Sequence, residues 1–567
     1  MNGAEAVLKA LQEEKVRHSF GVTGGSVIPL FDEYFKDNHE IRHIPVRHEQ
    51  GAAHAADGYA RASGKPGVCI ATSGPGATNL VTGIMTAFMD SSPMVALGGQ
   101  VATSLIGNDA FQESDMMGIT LPITKHNFQI RSPEKINSTI KNAFKIATTG
   151  RPGPVYIDLP KDTLMKEVSA VEKVPLHGYK PNLKGHPLQV KKAAELLLNA
   201  ERPVLLLGGG VILANAAKEA AELALEFNIP VITTLMGKSA FPETNALSLG
   251  MLGMHGRKCA NYAISNADVV LAVGCRFNDR ITGKLSTFLK DAKLIHIDVD
   301  NSEIGKIVPS AIPIVGDAKL VLQDLLLAAK KFSLAKKTTW SEKLKVLAKE
   351  CDCDLNISSN PADPKRVIFE ISKVLKENDI VTTGVGQHQM FAAHFLKRDR
   401  PRTFISSGGA GTMGFGFPAA IGARLARPDS EVFNIDGDGS FGMNVQELAT
   451  CRFENIKVIP VIFNNSYLGM VRQWLELFYE KRYSTVDLGQ STDFSKISEG
   501  FGVKGLRVER PSELAEAFQA ALKNDETTVI DVAIAPEANI TPMFSAGSSV
   551  FEMFGPCITE NYFKRAL

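Results

Sequence analysis

Short runs of β-branched and aliphatic residues recur along this chain, each closed by a glycine turn and followed by a stretch rich in Ala and Leu. Val68–Gly74 (VCIATSG) and Pro154–Pro160 (PVYIDLP) mark a first segment, about residues 1–165. Pro203–Gly210 (PVLLLGGG), Val269–Gly274 (VVLAVG) and Lys293–Asp300 (KLIHIDVD) mark a second, about 186–335. Val432–Ser440 (VFNIDGDGS) and Val458–Asn465 (VIPVIFNN) mark a third, about 363–545. Near-continuous apolar runs predict strands buried on both faces, and their alternation with helices predicts parallel sheets. The expectation is an α/β protein of three successive doubly wound parallel-sheet domains, with residues 546–567 as a C-terminal tail. Glu167–His186 and Ser333–Pro364 are weakly patterned and read as linkers. The stretch from Thr541 (TPMFSAGSSVFEMFG) reads as either a closing flap or a loose end.

Length agrees: 567 residues at roughly 100–200 per domain suggest about three or four domains. With 62 Lys+Arg against 61 Asp+Glu the formal charge is +1, which argues against a nucleic-acid binder or a polybasic membrane anchor. No apolar run approaches the roughly 18 residues that cross a bilayer. The start, MNGAEAVLKALQEEKV, enters an amphipathic helical pattern without the features of a signal peptide. Seven scattered cysteines, with a lone Cys351-x-Cys353 and no second pair at metal spacing, read as reduced thiols. The expectation is a cytoplasmic enzyme.

Its chemistry has to come from motifs. Asp436-Gly437-Asp438-Gly439-Ser440 ends one strand, a helix is expected over Asn444–Phe453, and Asn464-Asn465 ends the next strand. Glycines let the backbone approach a ligand, and helix N-termini suit phosphate. One carboxylate (Asp438), one amide oxygen (Asn465) and a main-chain carbonyl such as that of Tyr467 suit Mg²⁺, which takes its other ligands from phosphate and water. The plainer reading of each half is an ordinary turn, since D-G and N-N are common turn pairs; the pairing on successive strands favours the metal. Gly409-x-Gly411-x-x-Gly414 with Asp436 beyond it also outlines a dinucleotide fingerprint, although the preceding run, Thr403–Ser407, makes a poor strand. In the first segment, Glu49 follows the strand-like Ile41–Val46 and opens a helix whose residues are mostly Ala and Gly. Glu is favoured at a helix start by the dipole alone; the functional reading is an acid held in an apolar site to hydrogen-bond a heterocyclic nitrogen. Ser73-Gly-Pro-Gly-Ala-Thr-Asn79 is a sharp turn rich in donors.

Together these stretches resemble the thiamine-diphosphate enzymes: Gly437-Asp438-Gly439 through Asn464-Asn465 is similar to the family's diphosphate–Mg²⁺ motif, and Arg47-His48-Glu49 to the strand end carrying its glutamate. Within that family the chain most closely resembles acetolactate synthase (acetohydroxyacid synthase) large subunits over about residues 1–545. The likeness is carried by HEQGAAHAADGYARASGKPGV, TSGPGATN, DAFQE, GRPGPVYIDLPKD, GCRFNDRITGKL, SSGGAGTMGFGFPAAIGA and NNSYLGMVRQWLELFYEKRY.

The resemblance implies a role for each matching residue. Glu49 would hydrogen-bond the aminopyrimidine N1′, Met413 would bend the cofactor, and Gly411 would supply a carbonyl to its 4′-amino group. Gln387, His388, Gly437, Gly439, Ser440, Gly469 and Met470 would bind the cofactor, and Asp438, Asn465 and the Tyr467 carbonyl would hold Mg²⁺. Gly25 would offer a backbone N–H, with Phe111, Gln112 and Lys161 on the substrate side. The implied reaction decarboxylates pyruvate through the thiamine diphosphate ylid and joins the hydroxyethyl enamine to pyruvate or 2-ketobutyrate. Trp474 matches the residue that favours the ethyl group of 2-ketobutyrate in anabolic members.

Those members also bind FAD in the middle domain. The matching positions are Gly208, Gly209, Gly210, Thr234, Leu235, Met254, His255, Gly274, Arg276, Asp279, Asp298 and Asp317, with Arg151 from the first domain. The chain departs from the pattern at Asn278, where Asp is usual, and at Thr23 and Ser26, where Pro and Ala are usual. Rival readings are an FAD-independent catabolic acetolactate synthase, a flavin-dependent pyruvate oxidase and a non-catalytic module that keeps the fold; glyoxylate carboligase is disfavoured by Glu49. A homodimer or homotetramer is expected, because family members build the site from two chains, and a regulatory small subunit is compatible with the likeness.

Overall fold

The computed structural model describes residues 1–555 except 37–38, 171, 182, 333–338, 352 and 490–491. Three six-stranded sheets follow one another along the chain. The first holds β1 (His18–Gly21), β2 (Arg42–Pro45), β3 (Gly67–Ala71), β4 (Met94–Gln100), β5 (His126–Gln129) and β6 (Pro154–Pro160), in the order β2-β1-β3-β4-β6-β5. The second holds β7 (Pro203–Leu207), β8 (Val231–Thr233), β9 (Ser248–Met251), β10 (Val269–Val273), β11 (Lys293–Asp298) and β12 (Ile312–Val315), ordered β12-β11-β10-β7-β8-β9. The third holds β13 (Ile380–Thr383), β14 (Phe404–Ile405), β15 (Val432–Gly437), β16 (Ile459–Asn464), β17 (Lys504–Val508) and β18 (Thr528–Ala533), ordered β14-β13-β15-β16-β18-β17. Neighbouring strands run parallel, as central strands buried along their whole length require.

In each sheet the chain first builds outward on one side and then crosses to the other. The switch falls between β1 and β3, between β7 and β10, and between β13 and β15. The loops leaving the carboxyl ends of such strands part there and open a crevice. Each of the three sequence constellations falls at one of these crevices.

The first and third sheets belong to one compact unit (residues 1–180, 379–388 and 405–533). Its seam is the helix Glu49–Ser63 lying on the helix Gly416–Ala426. The two backbones touch. A Cβ at Gly58 would lie 2.2 Å from the Ala419 carbonyl oxygen, and one at Gly422 1.8 Å from that of Ala55. Even an alanine methyl has no room at those two crossings, so both are glycine, and the residues around them are small for the same reason. Arg61 closes the seam. It pairs with Asp57 (2.7 Å) and Asp90 (3.1 Å), donates to the Ser406 carbonyl (2.7 Å) and lies over the Phe415 ring.

The second unit (residues 181–378, 389–404 and from 534 on) carries the central sheet. Two expectations change here. The stretch 333–364, expected to be a linker, holds the helix Trp340–Glu350, whose Trp340, Leu344 and following Cys351 enter the hydrophobic cluster around Cys259 and Tyr262. The stretch from Thr541 is not loose as far as residue 555. Met543 bridges Phe554, Phe544 is fully buried, its N–H donates to the Met254 carbonyl, and Lys284 N donates to the Ser548 carbonyl. The third domain's strands thus end at Ala533, short of residue 545; residues 556–567 of the expected tail lie outside the described ones.

Candidate active site

At the first crevice, Val46–His48 turns out of β2 and Glu49 becomes the first residue of its helix, with the His48 ring capping Gln50 N (3.1 Å). Glu49 is buried and accepts from the Asn79 side-chain amide at 3.0 Å. The glycine-rich turn after β3 passes beneath it: a Cβ at Gly76 would stand 3.2 Å from Oε1. Opposite runs the loop after β1. Ser26 shares a 2.9 Å hydrogen bond with Thr72 and accepts from Ser73 N at 2.9 Å, so this departure from the usual Ala ties one loop of the crevice to the other. Gly25 faces open space, with nothing within 4 Å of where a Cβ would sit. Gln112 adopts φ +60° with its backbone against Gly74. Phe111 is 88% exposed, and Lys161 starts the short helix after β6, half-buried.

At the third-sheet crevice, β15 delivers Asp438 and its neighbour β16 delivers Asn465. Asp438 starts the one-turn helix Asp438–Phe441, and burial pushes its carboxyl up to about 7. Asn465 Oδ1 accepts from Tyr467 N at 3.0 Å, which folds the Ser466–Tyr467 turn back toward β16. The expected helix over Asn444–Phe453 is in fact a 3₁₀ turn, Gly442–Asn444, followed by the helix Glu447–Glu454. Gln387 bonds Gln473 (2.8 Å). A Cβ on Gly469 would meet the Gln387 oxygen at 2.3 Å. The His388 ring fits between Gly386 and Gly437, where a Cβ would come within 2.8 and 2.7 Å of it; burial lowers its pKa to about 3, and Nε2, without a hydrogen bond, lies 3.6 Å from Asp436 Oδ1. Glycine at 437 is thus demanded by the imidazole.

The loop Gly408–Gly414 is held from several sides. Asp90 accepts from Gly408 N (3.1 Å) and Gly409 N (2.6 Å), Thr412 shares a 2.7 Å bond with Thr86, and Gly414 N donates to Ser440 Oγ (3.0 Å). Asn444 donates to the Gly414 carbonyl (2.7 Å). Gly411, at φ +63°, has only Val385 within 4 Å of a Cβ position, and Met413 stands beside Gly439. Asp436 is wholly buried behind this loop, 3.6 Å from His388. A ribose hydroxyl cannot reach it there, so the dinucleotide reading does not hold. Trp474, on the helix Gly469–Phe478, stacks edge-on with Phe478 at 5.6 Å and is only half-buried, as is Met470.

The central crevice has its own logic. Gly208 and Gly210 lie on the Gly274 turn, whose atoms a Cβ would meet at 2.0 and 2.6 Å; Gly209 faces Met236. Chain crossing chain accounts for those glycines. Thr234 caps the 3₁₀ turn beginning at Leu235, Asp317 caps the helix Ala318–Ala329, and Asp298 accepts from Asp300 N. Asn278 makes no capping bond, and Asp279 beside it is exposed; Arg276 is half-buried. Met254 is buried, and His255 Nδ1 is buried without a protein partner, as a site for a polar ligand would leave it. In the first unit, Arg151 donates to Ser91 Oγ at 2.8 Å. Asn79, Thr72 and Asp90 are structured neighbours to which motif reading gave no role, although Asn79 and Thr72 lay in noticed stretches; Ser26 was noted only as a departure and Asp436 only as a possible ribose acceptor.

Family models for thiamine pyrophosphate enzymes match all three domains: the N-terminal TPP binding domain over residues 1–119, the central domain over 190–325 and the C-terminal TPP binding domain over 384–532. The chain belongs to the thiamine pyrophosphate enzymes. Among curated proteins, it is 52% identical to the probable acetolactate synthase large subunit of Methanocaldococcus jannaschii, covering 100% of this chain and 97% of that one. It is 47% identical to the acetolactate synthase of Mycobacterium bovis (97% and 90%) and 44% identical to the acetolactate synthase large subunit of Haemophilus influenzae (98% and 98%). Within the class the chain belongs to the acetolactate synthase large-subunit family, and its activity is that family's thiamine-diphosphate-dependent carboligation.

Proposed function

We propose that the chain joins a two-carbon unit from pyruvate to a second 2-keto acid, pyruvate or 2-ketobutyrate, giving 2-acetolactate or 2-aceto-2-hydroxybutyrate for branched-chain amino-acid synthesis. The observation that carries this reading is the delivery of Asp438 and Asn465 by adjacent parallel strands beside the glycine-lined loop Gly408–Gly414. Oxygen donors of this type and number suit Mg²⁺, which would take its remaining ligands from phosphate and water. The open space at Gly411 fits a cofactor lying against this loop. Bound thiamine diphosphate supplies the electron sink for decarboxylation and carbon–carbon bond formation.

The protein's part is to hold and orient. Asp438, Asn465 and the Tyr467 carbonyl would hold the metal; Gln387, His388, Gly437, Gly439, Ser440, Gly469 and Met470 would hold the diphosphate side. Met413, beside Gly439, would pack against the cofactor, and the Gly411 carbonyl would be free to accept from its amino group. Glu49, buried beside Asn79, hydrogen-bonds the ring nitrogen and holds the proton that moves there. Gly25, Phe111, Gln112 and Lys161 receive the keto acid, and Trp474 selects the longer acceptor. The central crevice would hold FAD, with His255 Nδ1, buried without a hydrogen bond, as a donor or acceptor toward it. A second copy of the chain covers the exposed Phe111 and its neighbours; the relatives' name, large subunit, supports a smaller regulatory partner. No described helix is long and apolar enough to cross a membrane.

The test is product analysis with pyruvate, with and without 2-ketobutyrate, omitting thiamine diphosphate, Mg²⁺ and FAD in turn. Acetohydroxy acids should form only with the first two cofactors, and the mixed substrate should yield chiefly the 2-ketobutyrate adduct. Product from protein stripped of thiamine diphosphate would sink the reading; anaerobic bleaching of the flavin by pyruvate would instead indicate an oxidase.

A further inference from the structure

The N–H groups of Arg47 and His48 precede the Glu49 helix, so the helix cannot satisfy them. A carboxylate from the third domain does. Glu447 Oε1 accepts from Arg47 N and His48 N, both at 3.1 Å, while Oε2 lies 3.2 Å from Arg47 N and accepts from Thr450 Oγ1 at 2.6 Å. Gly51, one turn into the Glu49 helix, leaves room for it: a Cβ there would stand 2.6 Å from Oε1. The rest of the helix Glu447–Glu454 grips the same segment with the same face. Thr450 reaches toward the Pro45 carbonyl, Phe453 lies under the Arg47 guanidinium, and Glu454 accepts from Arg42 at 2.6 Å. Glu447 is fully buried, and burial pushes its carboxyl up to about 7. A buried carboxylate is costly to desolvate, and the three donors that converge on Glu447 are what offset that cost.

We propose that Glu447 is a positioning residue for Glu49, setting where β2 ends and the helix begins so that the acid meets its target. It follows the Asp438 turn in the chain, so one carboxylate ties the end of β2 to the third domain of the same chain. This rests on the reading of Glu49 as the acid that serves the cofactor.

The experiment uses the full-length protein, Glu447→Met to keep volume without acceptors and Glu447→Gln to restore an oxygen. Amide hydrogen exchange, measured by mass spectrometry on protein free of cofactor, should quicken at least about tenfold at residues 46–50 in Glu447→Met. Exchange in the sheet strands should stay unchanged, and Glu447→Gln should recover most of the protection. With cofactors added, kcat of Glu447→Met should fall about 10²-fold, the loss typical of a misplacement near 1 Å, with thiamine diphosphate affinity within about threefold of wild type. Unchanged exchange at residues 46–50, a uniform rise throughout the chain, or kcat within about twofold of wild type would overturn the proposal. If Glu49→Gln itself kept full carboligation, the role of Glu49 would fall, while the exchange data would still report whether Glu447 holds Arg47 and His48.

Discussion

Glu49 comes to its crevice with one oxygen already committed to Asn79 and the other lying over Gly76. Removing the acid should therefore leave the fold intact and strike the chemistry: Glu49→Gln is expected to lose about 10²–10⁴-fold in carboligation, read from acetolactate formation, with thermal unfolding unchanged. Arg61 is the opposite case. Asp57 and Asp90 are buried against it, so Arg61→Met leaves carboxylates without their cation and should cost about 3–5 kcal/mol in denaturant unfolding. His54 shows the pH consequence. Burial lowers its pKa from 6.5 to about 4, so its contribution to stability is complete above pH 6.5 and is lost as pH falls toward 4. Replacing it with Gln should remove up to one proton from the uptake on unfolding across that window. Buried carboxylates such as Asp158, raised to about 6, act in the opposite direction, contributing most below pH 4 and losing that contribution as pH rises through 6. The wild-type profile is a sum of both; the variant difference isolates the histidine.

Among elements, the strands were the most legible. Pro154–Pro160 runs where its apolar pattern predicted, because a strand buried on both faces announces itself by composition alone. Strand ends were read too long at Gly210, Asp300 and Ser440, since a glycine or acid after a strand can equally start a helix or turn. The helix Trp340–Glu350 was missed because it is mostly polar and its few apolar residues lie within a stretch that looked like linker. Its Trp340, 5% exposed and 6.3 Å from the Tyr262 ring, anchors it; Trp340→Ala should cost about 3–5 kcal/mol, visible as a lowered urea midpoint. The motif residues Asp438 and Asn465 were legible because metal chemistry restricts residue type. Ser26, Asn79 and Glu447 were not, since each meets a partner that only the folded chain brings near. The helix Gly469–Phe478 leaves Trp474 partly open, as a wall of an acceptor pocket would be. Trp474→Leu should lower the ratio of 2-ketobutyrate adduct to acetolactate by about tenfold, within the roughly 1–3 kcal/mol that one apolar contact supplies.

For the whole molecule, Phe111 (88% exposed), Leu121 (69%) and Ile28 (56%) leave the first domain with apolar surface to cover. Activity should accordingly fall on dilution in step with dissociation followed by sedimentation. The near-neutral total charge asks for no basic surface, because helix starts, a metal and single cations such as Lys161 can attract small anions locally. The backbone-tight seam between the helices Glu49–Ser63 and Gly416–Ala426 reaches back to how the protein is made. Arg61 and Ser406, which meet across it, are 345 residues apart in the chain. At ribosomal speeds of about 5–20 residues per second, the first helix waits roughly 20–70 s for its cover. During that interval its bare alanine face is open to other nascent chains, so the speed of translation through the central domain bears directly on the yield of folded enzyme.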